Sequence, residues 1–91
     1  MDEIFKLKLF FLLNEMFERQ SSKLLLLAKN IIPNITIEDV LQPMDLEDLE
    51  SNIFFKFEEG VLSGLGEARA AVFAFFKDLE YEQLQKESSD I

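Results

Sequence analysis

Proline occurs at only two positions, Pro33 and Pro43, and these residues divide a chain that is otherwise patterned for helix. No proline or glycine interrupts residues 1–32. Within that stretch Phe5, Leu9, Leu13, Met16, Phe17, Leu24, Leu27, Ala28 and Ile31 recur at helical spacing on one face, the pattern of an amphipathic helix. Asp2 is placed to cap its start. Gln20, Ser21 and Ser22 thin the apolar seam, which leaves room for a kink or a break there. Ile4, Leu7, Phe11, Leu25 and Leu26 fall off the main stripe, and a helix apolar on more than one side is buried or shared.

Pro33 ends this first helix, because the residue before a proline is pushed out of helical geometry. Thr36 with Asp39 three residues on then reads as an aspartate version of the capping box, opening one or two turns before Pro43 stops them. Asp45 with Asp48 repeats the signature ahead of a short segment, Leu46 to Glu50. Ser51 and Asn52 offer a cap for a last helix running from about Ile53 to Lys86, with residues 88–91 fraying. Residues 1–87 thus form a single helical domain.

The last helix carries an anomaly. Gly60, Gly64, Ala68 and Ala71 recur at three- and four-residue spacing inside it, although each interior glycine costs about 1 kcal/mol relative to alanine. At about 100° per residue, Ile53, Phe54, Phe57, Val61, Gly64, Leu65, Ala68, Ala71, Val72, Phe75, Phe76 and Leu79 share one broad face, with Gly60 at its edge. Phe55, Leu62 and Phe73 form a narrower stripe beside Arg69. The expectation is that the broad face, with its small residues, packs on the first helix. The narrower stripe, together with Phe11 and Leu25, is then expected to meet a partner. A competing reading breaks the helix between Gly60 and Gly66 on the strength of its three glycines.

Ninety-one residues allow one domain, and a domain of that size hides only about 60–65% of the surface of its unfolded chain. With 48% hydrophobic residues, ten of them phenylalanine, several aromatic rings must face solvent or a partner. The expected architecture is therefore all-α: a hairpin of two long antiparallel helices with a short capped helical segment between them. Dimerisation would complete it into a four-helix bundle.

Chemistry is sparse. The chain has no histidine or cysteine, which removes Ser–His and Cys–His nucleophile arrangements and the usual zinc sets. Gly64-Leu65-Gly66 lacks the third glycine of a dinucleotide turn and the Gly-Lys-Ser/Thr of a phosphate loop. No catalytic residue, metal site or cofactor is expected. Charge is uneven: Glu38, Asp39, Asp45, Glu47, Asp48, Glu50, Glu58 and Glu59 oppose Lys56 alone across residues 38–59, within a chain of net charge −9. Such a field repels nucleic acid and favours basic protein partners. The first residues read poorly as a secretory leader, and no apolar run approaches the roughly 20 residues that span a bilayer. A cytoplasmic protein without stable membrane insertion is expected.

The function expected from these features is a non-enzymatic protein–protein interaction module, binding a second copy of itself or another helical protein. The alternative is a small acidic chaperone or anti-regulator that holds a basic partner through residues 38–59.

Overall fold

Two helices of 29 and 37 residues dominate the computed structural model, which describes residues 3–89. The order is α1 (Glu3–Ile31), α2 (Ile37–Leu41), a 3-10 turn (Pro43–Asp45), α3 (Glu47–Glu50) and α4 (Ile53–Ser89). No strand occurs among the described residues. Asp2 and the last residues of the tail, Asp90 and Ile91, lie outside the described range, and α4 persists through Ser89. Helix α1 runs unbroken past Gln20–Ser22, and α4 runs unbroken through Gly60–Gly66, so neither anticipated break forms.

Side-chain caps open two of the helices, α2 and α4. Thr36 Oγ1 accepts from the Asp39 backbone N–H at 3.3 Å, while Asp39 Oδ2 accepts from the Thr36 backbone N–H at 3.2 Å. This is the reciprocal box anticipated at α2. Asn52 Oδ1 accepts from the Phe55 backbone N–H at 2.9 Å, capping α4. The second aspartate box does not form. Pro43 instead starts a 3-10 turn that absorbs Asp45, leaving Leu46 at the N-cap of α3 with no side-chain cap.

The connecting segment folds back on the hairpin and makes the core. Leu24 and Ala28 of α1, Ile35, Val40 of α2, Leu49 of α3 and Phe55 of α4 bury one another at this end of the molecule. At the other end Phe10 meets Phe73 and Phe76, with ring centroids 4.4 and 5.4 Å apart. Between the two, the Arg69 guanidinium lies 3.9 Å from the Phe17 ring centroid and donates to Asn14 Oδ1 at 3.2 Å. Lys6 pairs with Glu80, and Gln20 donates to Glu58 Oε2 at 2.6 Å. Aromatic and polar rungs therefore alternate along the hairpin and fix its antiparallel register. The aromatic rungs dominate energetically, since ring pairs add about 0.5–1.5 kcal/mol beyond their area whereas exposed ion pairs add about 0–1 kcal/mol.

This register reverses the expected use of the α4 faces. Phe55 is fully buried, Leu62 packs against the core and Phe73 lies on Phe10. The narrower stripe is thus the one that packs on α1. Ile53, Phe54, Phe57, Ala68, Ala71 and Phe75 of the broad face are exposed, although Phe76 is buried. The inward face of α4 also uses residues that carry no apolar signal: Glu58, Arg69, and Gly66, where an added Cβ would stand 3.3 Å from the Phe17 ring.

The Gly–Ala ladder accordingly does not seat α4 on α1. A Cβ built on Gly60 or Gly64 meets nothing within 4 Å. Gly60→Ala is therefore expected to stabilise the protein by about 0.5–1 kcal/mol through helix propensity alone. Denaturant unfolding checks this; a loss of stability would show that a backbone approaches Gly60 after all.

Candidate interaction surface

The molecule is a rod of 62 × 23 × 19 Å with a radius of gyration of 18.5 Å, against about 12 Å for a globular chain of this length. Its accessible surface is 6991 Å², whereas a compact monomer of 10.6 kDa exposes about 5,500 Å². The excess of about 1,500 Å² reflects the elongated shape, and many large apolar side chains are exposed on it.

Two seams stand out. On α1, Phe5, Leu9, Leu12 and Met16 follow one another at alternating spacings of four and three residues. On α4, Val61, Leu65, Ala68, Val72, Phe75 and Leu79 keep the same alternation. Spacing of this kind holds side chains in one line along a helix that supercoils with neighbours. All ten are exposed or half-exposed: Phe5 is 54%, Leu12 51% and Phe75 56% accessible.

Antiparallel packing brings these seams onto one side of the hairpin. Lys23 continues the α1 seam one heptad beyond Met16, and Glu58 continues the α4 seam one heptad before Leu65. These two residues pair at 2.9 Å, marking the shared flank. The result is a two-helix apolar face closed at one end by the Gln20–Lys23–Glu58 cluster. On the opposite flank Ile4, Leu7 and Phe11 are exposed on α1, and α4 there carries Ala70, Ala74 and Tyr81 with Lys77 among them.

Of the residues expected to contact a partner, Phe55 is in the core, Leu25 packs beside it, and Leu62 and Phe73 face α1. Phe11 is exposed, at 70%. Of those expected to pack between helices, Ala68 lies in the α4 seam, while Gly60, Gly64 and Ala71 lie beside it on the outer surface. Phe5, Leu9 and Met16 of the α1 seam belong to the apolar face expected from the sequence, and Leu12 joins them through the four-three spacing.

The acidic residues do not gather into one site. Asp39 is used in the α2 cap, Glu50 and Glu59 pair with Lys56 at 3.2 and 2.9 Å, and Glu58 is held by Gln20 and Lys23. Glu38, Asp45, Glu47 and Asp48 remain exposed around the connecting segment. Among the described residues no three acids are grouped to hold a metal ion, and no helix is long and apolar enough to cross a membrane. A groove of about 180 Å³ lies at the far end between Lys6, Phe10, Phe73, Phe76, Lys77 and Glu80.

The Glu58 carboxyl is held below its ordinary value of 4.5, first by the Gln20 hydrogen bond and then by Lys23. A carboxyl whose folded pKa is depressed stabilises the fold above its unfolded pKa and loses that contribution as pH falls through the folded value. The stability advantage of the native chain over Glu58→Gln should hold above about pH 5.5 and shrink as pH drops from about 4.5 downwards. Urea titrations of both proteins from neutral to acid pH check this. A difference independent of pH would place Glu58 outside the network.

Compared with protein-family models, curated proteins and solved structures, the chain gives a match to none of the three.

Proposed function

We propose that this protein is a non-enzymatic helical interaction module that self-associates, its open two-helix face completed by a second copy into a four-helix bundle. The carrying observation is the pair of four-three seams that antiparallel packing lays side by side, on a rod with about 1,500 Å² more surface than a compact monomer exposes. Large apolar side chains exposed in a line, as Phe5, Leu12 and Phe75 are, are the usual mark of an interaction site.

The exposed acids of the connecting segment support a second reading, capture of a basic protein partner. The two readings respond oppositely to salt. Attraction between exposed charges is screened beyond about 8 Å at physiological ionic strength, whereas apolar burial holds or strengthens in salting-out ions. Light scattering at low and high ionic strength separates them. Self-association predicts twice the chain mass at both; a monomer at both, with a salt-labile complex on an added basic protein, favours the alternative.

A further inference from the structure

We infer that the two copies stack antiparallel, with α1 lying on α1 and α4 on α4 of the second copy about a two-fold axis crossing the rod, and with the acidic ends pointing apart. This rests on the self-association proposed above and adds the surface and orientation of the contact.

The surface follows from the seams. Phe5, Leu9, Leu12 and Met16 on α1, with Val61 to Leu79 on α4, form the face on which both helices offer an unbroken apolar line. On the Ile4–Leu7–Phe11 flank α4 offers Ala70, Ala74 and Tyr81 interrupted by Lys77, so the apolar line there is broken. A second copy of this chain presents two seams at the same spacing, so each seam meets its own counterpart, and a two-fold contact requires such self-complementarity.

Orientation follows from length and charge. The α1 seam is centred between Leu9 and Leu12, and the α4 seam near Ala70. The contacts of Phe10 with Phe73 and of Asn14 with Arg69 place these centres within about one helical turn of each other. A single two-fold axis between the two centres, near Leu12 and Val72, therefore brings each seam back onto its own copy in reverse. Stacking the rods in the same direction also covers both seams. It would, however, set two 38–59 segments side by side, each with eight acids against Lys56, and like charges brought together oppose association. Antiparallel stacking separates them by much of the 62 Å rod.

The chain has no cysteine, so single introduced thiols report the geometry. Leu12→Cys and Val72→Cys lie near the axis and are expected to form disulfide-linked dimers under mild oxidation. Val61→Cys, well over 20 Å from its copy along the helices, is expected not to link. Light scattering of each reduced variant first establishes whether it is dimeric, and circular dichroism whether it is folded. Linking at positions 12 and 72 without linking at 61 supports the arrangement. Linking at 61, or failure of both 12 and 72 to link in variants that are dimeric, overturns it while leaving self-association standing. A native chain that stays monomeric overturns both.

Discussion

Replacing Phe55 with alanine is expected to cost about 3–5 kcal/mol of stability, the range for truncating a buried phenylalanine. Its ring is fully buried where α1, α2, α3 and α4 converge, against Leu24, Ala28, Ile35, Val40 and Leu49. Every one of these elements loses packing if the ring is removed. Small domains have about 5–15 kcal/mol in total, so this single change consumes a large part of the stability. The neighbouring ring is the control: Phe54 is 69% exposed, and Phe54→Ala is expected to change stability by no more than about 0.5 kcal/mol. Denaturant unfolding of the two variants compares adjacent phenylalanines under one set of conditions. Equal effects, or a larger loss at Phe54, would return the inward face of α4 to the broad stripe.

The largest expected effect on assembly is that of Leu12→Glu combined with Phe75→Glu. Both side chains are about half exposed in the single chain, so the hairpin should keep its helical circular dichroism. In a stacked pair each change would bury a carboxylate without a partner at the centre of the apolar face, which is costly. About 3 kcal/mol lost on association is a hundredfold or greater weakening, and sedimentation velocity should show the species shift from paired to single chains. Phe11→Glu, on the opposite flank and more exposed still, should leave the mass unchanged. If Phe11→Glu alone dissociates the protein, the contact lies on that flank.

The parts legible in the sequence were those set by local chemistry. Thr36 and Asp39 cap one another within four residues, Asn52 caps α4 three residues before Phe55, and the prolines cannot be carried inside a helix. Such contacts need no knowledge of the rest of the chain. The Asp45–Asp48 box failed because Pro43, just upstream, imposed a competing turn.

Face assignment failed for a different reason. Counting apolar residues on a wheel scores Glu58, Gly66 and Arg69 as surface, yet all three point towards α1. A usable signal was spread over both helices. The polar interruptions of the inward α1 face, Lys6, Asn14 and Gln20, occur in the reverse order of Glu80, Arg69 and Glu58 on α4, and each pairs with its counterpart. Neither helix reveals this matching alone. Once it sets the register, the broad apolar face of α4 is left outside, and the interaction surface is what remains of a face first assigned to the interior.

Small-angle X-ray scattering on the native protein tests the central claim most directly, because it reads mass and shape together. The expected result is twice the 10.6 kDa chain mass, with a particle that thickens and whose longest dimension stays well short of twice the 62 Å rod. A particle of single-chain mass with a radius of gyration near 18.5 Å across a dilution series would contradict it, as would a dimer lengthened end to end.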